Sequence, residues 1–283
     1  MAQIREIRKR IKSIENTKKV THAMELVSAA KMRKAQVWAL SGRPYSTSLN
    51  EIITEVREKT DKMHTMLKPK SAPKQLIIVV ASDRGLAGGL NINLFREIIA
   101  KEIKDATYIT IGKKATNFAV KTGGEFIASF ESEEKSPLEI ARSISKLARD
   151  LFTSSQVNKV SILYPHFVNT TNQIPKWVQI LPIEFEDQRP TDLPTYRSTD
   201  LLFEPDIDKI LNNILPHYIL TRIYQVLLEA KASEHSARMV AMKNATDAAG
   251  DLVEDLTLTY NQARQEAITK ELLDIVTAQK GLV

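Results

Sequence analysis

The segment AKASEHSARMVAMKNATDAA, from Ala230 to Ala249, decides the fold because it is a long helical pattern made largely of small residues. No proline follows Pro216, and only Gly250 interrupts about 60 residues of helical pattern. A helix of that length rises roughly 95 Å at about 1.5 Å per residue, whereas the average helix has ~11 residues. Small side chains let a second backbone approach closely, so the pattern predicts a helix packed lengthwise against a partner helix.

The beginning of the chain supplies that partner. Its apolar residues first follow the 3-4-3 spacing of a heptad seam, at Ile4, Ile7, Ile11 and Ile14. The seam then continues to Ala30 with an extra three-residue step, which departs from a regular left-handed coiled coil. Its small residues are Ser28, Ala29, Ala30 and Ala35, and those of the later helix are Ala230, Ala232, Ser233, Ser236, Ala237, Ala241, Ala245, Ala248 and Ala249. We expect the two terminal helices to pair antiparallel, the first being bent or interrupted at Gly42-Arg43-Pro44.

The middle of the chain changes period from helix to alternating strand and helix. Short β-rich runs occupy residues 75–81, 107–111, 125–129, 159–164 and 177–183, and amphipathic helices are expected near 93–104, 113–121 and 137–152. This alternation predicts parallel strands with right-handed crossovers in a small Rossmann-like layer. The predicted fold is therefore α/β plus coiled coil: a terminal helix over 1–70, an inserted α/β domain over 71–205 and a second terminal helix over 206–283.

A glycine-rich loop, VVASDRGLAGGLN from Val79 to Asn91, follows the first predicted strand. Glycines between a strand and a helix can cradle a phosphate at the helix N-terminus. This loop lacks the lysine and hydroxyl of a P-loop, and it is not G-x-G-x-x-G. A tight turn from strand to helix is the preferred interpretation, and no cofactor is expected.

Composition excludes several classes of protein. There is no cysteine, so disulfides and thiolate metal sites are excluded, and no apolar run reaches the length of a membrane span. The five histidines lack the spacing of metal ligands, and neither a nucleophile elbow nor a recognisable carboxylate pair occurs, so neither a catalytic nor a metal site is expected. The N-terminus lacks the apolar core of a secretory signal, which favours a cytoplasmic protein.

The net charge of +6 is concentrated at the start of the chain. Residues 1–43 carry 11 Lys/Arg and 3 acidic residues, a net of +8, whereas the rest of the chain has a net of −2. This concentration suggests a nucleic acid, an anionic membrane surface or an acidic protein loop as partner, and a solvated helix face is the simpler alternative.

Several motifs together resemble the γ-subunit family of the F-type ATP synthase, of bacterial type. They are IREIRKRIKSIENTKKVTHAMELVSAAKMRKAQ, SDRGLAGGLNINLF, FVNTTNQIP, LLFEPD, SEHSARMVAMKNATDAA and YNQARQEAITKELLDIV, in the family's order over nearly the whole chain. The resemblance implies a non-catalytic rotor shaft inside a ring of three α and three β subunits. It also implies coupling of proton flow through a membrane c-ring to ATP synthesis or hydrolysis on β. The expected location is the cytoplasmic face of the bacterial inner membrane, reached only through the complex.

The resemblance also assigns contact residues. Contacts with the β subunit are implied for Lys19, Met24, Lys31, Arg33, Lys34, Arg264 and Gln265. Contacts with the ε subunit and the c-ring are implied for Phe203, Glu204, Pro205 and Asp206. The tip that turns in its bearing would carry Ile268, Leu272, Leu273, Ile275 and Val276.

Two rival functions remain distinct from a rotor. A basic coiled coil that binds nucleic acid would show a steep salt dependence, although no aromatic residues interleave with the basic ones to stack on bases. A Rossmann-type enzyme with helical oligomerisation arms would bind a nucleotide through its α/β segment, although the fingerprint is missing.

Overall fold

The computed structural model describes residues 2–58, 64–103, 105–133, 136–184 and 206–280. A long helix α1 (Ala2–Glu58) precedes β1 (Lys74–Val80), α2 (Leu90–Ala100), β2 (Ala106–Ile111) and α3 (Lys113–Lys121). Then come β3 (Glu125–Phe130), α4 (Pro137–Thr153), β4 (Val157–Phe167), β5 (Gln173–Leu181) and the long helix α5 (Ile207–Lys280). The predicted combination of long terminal helices with an inserted α/β layer is confirmed.

The described helices and strands belong to two compact units. The terminal unit consists of Met1–Ala30 and Arg238–Val283, and the central unit is Lys31–Ala237. This division groups residues that contact one another, whereas the three segments expected from the sequence separate helical from α/β parts of the chain. The three-segment division stays a prediction.

The five strands form one sheet in the order β3-β2-β1-β4-β5. The pairs β1/β2, β2/β3 and β1/β4 are parallel, as the alternation of strands and helices predicts. The pair β4/β5 is antiparallel, a direction that the alternation did not predict, because no helix was expected between these two strands. Residues 168–172 alone connect these two strands, and a parallel crossover needs a dozen or more residues.

Both faces of the sheet are covered, which explains the unbroken apolar run of β1. Ile77 and Val79 pack with residues of α2 and α3 on one face. Leu76, Ile78 and Val80 pack on the other face with α4 and with parts of α1 and α5. Helix α4 begins with an N-cap, in which Ser136 Oγ accepts the Glu139 N–H at 3.3 Å and Pro137 occupies the first turn.

In the central unit α1 and α5 run antiparallel. Gln225 Nε2 donates to the Ala39 carbonyl at 2.9 Å, and Tyr45 Oη lies 2.5 Å from His217 Nε2. A bend or an interruption was expected at Pro44, and the interruption was wrong, since α1 continues through the proline. Buried residues before and after the proline, Ala39, Leu49 and Ile53, gain packing that outweighs a local cost of about 3 kcal/mol. Helix α5 begins at Ile207, next to the start expected at residue 206, and it too contains a proline, Pro216.

In the terminal unit the same two helices are again antiparallel. Thr246 Oγ1 lies 2.8 Å from Thr21 Oγ1. One turn further along α5, a Cβ on Gly250 would lie 2.9 Å from Lys18 Nζ, so this glycine makes room for the lysine and does not interrupt the helix.

The expected seam of small residues is only partly buried. Ser28, Ala35, Ala230, Ala232, Ser233 and Ser236 are buried. Ala30 and Ala248 are exposed, so the prediction that they belong to a packed seam was wrong. A heptad approximation drifts from the true helical period, which moves some positions out of the contact.

Candidate partner-contact surfaces

The exposed end of α5 is the most conspicuous surface of the terminal unit. At the register set by Thr21 and Thr246, residues of α5 beyond about position 266 lie opposite no described residue of α1. Ile268, Leu272, Leu273 and Ile275 there are 46%, 58%, 60% and 59% exposed. The side chain of Val276 lies outside the described residues. Large apolar side chains exposed together mark a site of interaction.

The expected β-contact residues in the terminal unit fall into two groups. Lys19 is exposed and Met24 is half-buried on α1, while Arg264 and Gln265 are exposed on α5. Arg264 lies 18 residues beyond Thr246, hence about 27 Å along the helix axis at 1.5 Å per residue. The structure therefore does not bring Arg264 to the place where Met24 lies.

In the central unit, the three basic residues expected to contact the β subunit are all exposed on α1. Lys34 Nζ lies 4.8 Å from the centre of the Trp38 ring. Trp38 itself is 45% exposed, so this cation–π pair lies on the surface. Lys31 and Lys34 leave α1 on the same side as Trp38, whereas Arg33 leaves the helix about 140° from Trp38, so the three basic residues do not form one surface.

The expected ε and c-ring contact lies mostly outside the described residues, which exclude Phe203, Glu204 and Pro205. Asp206 is described and exposed, and its carbonyl accepts the N–H of Ile210 at 3.0 Å where α5 begins.

The glycine-rich loop turns the chain from β1 into α2. Its ends are tied by Asn91, whose Oδ1 accepts the Ser82 N–H at 3.2 Å and whose Nδ2 donates to Ser82 Oγ at 2.8 Å. Asp83 accepts the N–H groups of Lys113 at 3.1 Å and Glu133 at 2.9 Å. A carboxylate thus occupies the anion position at the N-terminus of α3, where a phosphate would otherwise bind.

The crevice beside this loop is nearly filled. A cavity of about 10 Å³ there is lined by residues that include Val80, Ser82 and Lys231, and that volume holds about one water molecule. Lys231 Nζ donates to the Ser132 carbonyl at 2.9 Å. Burial lowers the pKa of Lys231, and the charges of Glu234, Asp83 and Glu133 oppose that shift.

A second polar cluster joins α5 to β4. Tyr164 Oη donates to Glu229 Oε2 at 3.0 Å, and His166 Nδ1 lies 3.0 Å from the same oxygen. Burial, together with the adjacent Glu229 carboxylate, raises the pKa of Tyr164 well above its usual range. Nearby, Ser236 Oγ donates to the Thr170 carbonyl at 2.7 Å in the β4–β5 turn. These contacts could not be predicted from the sequence, since no local pattern indicates a hydrogen-bond partner 60 or more positions away.

The described residues contain neither a membrane-spanning helix nor a cluster of metal ligands. Within those ranges no helix has a stretch that is both apolar and long enough to cross a bilayer. No group of three or more His, Asp or Glu side chains in the described part of the chain is placed to hold a metal ion.

Fold and surfaces together define a class: an α/β sheet protein whose paired terminal helices leave an apolar helix end uncovered. The profile of the ATP synthase family matches residues 3–282. An ATP synthase gamma chain of Methylacidiphilum infernorum is 40% identical over 292 residues, covering 100% of both chains. One from Stenotrophomonas maltophilia (strain R551-3) is 41% identical over 285 residues, covering 98% of each. The chain belongs to the family of ATP synthase gamma chains.

Solved structures share the fold. A chain from a structure of the Euglena gracilis mitochondrial ATP synthase, described as OSCP/F1/c-ring, aligns with a TM-score of 0.70 and 18% identity over 99% of this chain and 95% of that one. A chain from the central stalk/c-ring structure of the Tetrahymena thermophila enzyme aligns with a TM-score of 0.60 and 21% identity, covering 80% of this chain and 99% of that one.

Proposed function

We propose that this chain is the rotor shaft of a proton-coupled ATP synthase. It turns inside a ring of α and β subunits and couples proton flow through a membrane c-ring to ATP synthesis or hydrolysis on β. The chain contributes no catalytic group or cofactor of its own. Membership of the gamma-chain family supports the proposal, as do relatives of the same fold in structures described as a central stalk with its c-ring.

The single observation that carries the proposal is the uncovered end of α5. Four large apolar side chains between Ile268 and Ile275 are about half exposed, and each would gain free energy if a partner covered it. A shaft end that turns in an apolar bearing needs such a surface, because apolar contact is non-directional and opposes no particular angle.

The exposed basic residues suit a partner that changes during rotation. We assign Lys19, Lys31, Arg33 and Lys34, with Met24, to an acidic loop of β, and Arg264 with Gln265 to a second, more distant contact with β. Exposed ion pairs are typically worth ~0–1 kcal/mol, so each attracts β without trapping one angle. Coupling then resides in the different affinity of each β conformation for one face of the shaft.

The opposite end of the assembly would meet the membrane sector. We assign Phe203, Glu204, Pro205 and Asp206 to contacts with the ε subunit and the c-ring. The chain would then sit at the cytoplasmic face of the bacterial inner membrane and be held there by the c-ring.

Reconstitution tests the proposal. Purified α and β subunits are mixed with and without this chain, and gel filtration and ATP hydrolysis are measured. We expect one copy of the chain per six partner subunits and sustained hydrolysis. A chain that elutes alone and leaves hydrolysis unchanged would contradict the proposal. Titration with duplex DNA at several salt concentrations would then test the basic segment as a nucleic-acid site.

A further inference from the structure

Three side chains within one short stretch of α5 hold three different parts of the sheet at its carboxyl edge. Lys231 donates to the Ser132 carbonyl just after β3, at 2.9 Å. Glu229 accepts the Tyr164 hydroxyl of β4 at 3.0 Å. Ser236 donates to the Thr170 carbonyl in the turn after β4, at 2.7 Å. All of these residues lie in the central unit.

These contacts are shielded from water. Ser236 is fully buried and Tyr164 is 3% exposed, while the Glu229 side chain is 16% exposed. Hydrogen bonds in such surroundings are electrostatically stronger than exposed ones, and a buried polar group that loses its hydrogen-bond partner destabilises the fold. The three contacts are therefore stiff compared with the ion pairs on the surface.

Their positions around the helix matter as much as their strength. At about 100° per residue, Glu229 and Ser236 leave α5 within about 20° of each other, whereas Lys231 leaves about 160° from Glu229. The hydrogen bonds therefore lie on opposite sides of the helix. Rotation of α5 about its own axis in either direction lengthens at least one of them. The apolar packing of Leu215, Ile219 and Ile223 on the sheet is non-directional and opposes such a rotation less.

We propose that Glu229, Lys231 and Ser236 form a three-point anchor through which α5 passes torque to the α/β sheet. The inference rests on the proposed rotor function and adds positioning residues to it. Ser233 provides a matched control, because it lies on the same stretch, is fully buried and has a hydroxyl without a hydrogen-bond partner.

The test measures torsional stiffness in the assembled complex. The full chain has no cysteine, so Lys121→Cys, at an exposed site on α3, gives a single attachment point for a bead. With α and β immobilised and rotation stalled, the angular variance of the bead reports the compliance between the ring and the sheet. The parent Lys121→Cys chain is compared with Ser236→Ala, with Lys231→Met, with both changes together and with Ser233→Ala.

Three similar contacts act in parallel, so losing two should raise the angular variance, by at most about three-fold because the apolar packing of α5 on the sheet remains. Ser236→Ala alone should raise the variance by at most about 1.5-fold. A further variant, Lys231→Arg, keeps a donor and should give a variance closer to that of the parent than Lys231→Met does. Ser233→Ala should leave the variance unchanged. Since Ser236→Ala removes only one neutral hydrogen bond, it decides the question even where the double variant fails to assemble.

The anchor would be refuted if Ser236→Ala and Lys231→Met gave the same variance as Ser233→Ala. A parent chain that neither assembles with α and β nor turns would instead refute the rotor function itself. The two failures are therefore distinguishable in one experiment.

Discussion

Replacing Leu272 and Leu273 with serine at the exposed end of α5 should weaken binding to the α and β ring. The two side chains are 58% and 60% exposed. Fully burying a leucine is worth about 1.5–3 kcal/mol, and about three fifths of each side chain remains to be covered. A bearing that covers both would therefore gain about 2–4 kcal/mol from them, and their loss should raise the Kd about 30- to 700-fold.

The measurement is a titration of fluorescently labelled chain into the purified α and β ring, at fixed salt. Val120→Ser is the matched control, because Val120 is 67% exposed on α3 and belongs to none of the assigned surfaces. Both variants should unfold within about 0.5 kcal/mol of the parent, since exposed positions carry little stability. A Kd within two-fold of the parent for the double variant would refute the assignment of this end as the bearing surface.

The remaining predictions concern stability. In urea unfolding, Gly112→Ala should lower the free energy of unfolding by about 3 kcal/mol or more, because φ at Gly112 is +91° and the added Cβ would lie 2.2 Å from the Ala81 carbonyl oxygen. Gly85→Ala is the control and should be near neutral, since a Cβ there meets open space. Ser236→Ala should cost about 1 kcal/mol, and Ser233→Ala should be neutral or stabilising in the same assay; equal costs would contradict the hydrogen-bond assignment. The pKa of Lys231 is lowered on folding, so between that pKa and about 10.4 the unfolded chain binds more protons and stability rises with pH. The Tm of the parent relative to Lys231→Met should therefore rise as pH increases toward that value, and a falling difference would contradict it.

The paired helices could be predicted because their signals are local and repeated. A long proline-free pattern of small residues needs a partner helix, and the isoleucine spacing from Ile4 onward supplies one. The strands could also be predicted, since runs such as residues 75–81 are short, apolar and rich in β-branched residues. Their bounds shifted by up to four residues at the ends, for example at β5.

The effect of proline on the long helices could not be predicted from the sequence. Pro44 predicts a bend or an interruption of α1, yet it lies inside a helix whose flanking residues are buried. Local propensity is a weak prior beside tertiary packing, and the sequence does not reveal how much surface each turn buries. The antiparallel direction of β5 follows from the short connection after β4, and that connection is short because both strands extend beyond their apolar cores.

The contact surfaces could be predicted only in part from the sequence. Motifs shared with the gamma chains predicted the basic contact residues and the tip, and the structure adds that Ile268 and Leu272 are exposed. The contacts of Glu229, Lys231 and Ser236 could not be predicted, because each depends on a partner more than 60 residues away. Ser236 and Thr170 both lie in recognised motifs, but only the fold brings them together.

Rotation itself is the most direct test of the proposed function. The Lys121→Cys chain, assembled with immobilised α and β subunits and carrying a bead, is observed under a microscope as ATP is added. We expect the bead to turn in one direction, in steps that follow ATP hydrolysis. A complex that holds the chain and hydrolyses ATP while the bead stays at one angle would show that this chain is not the shaft.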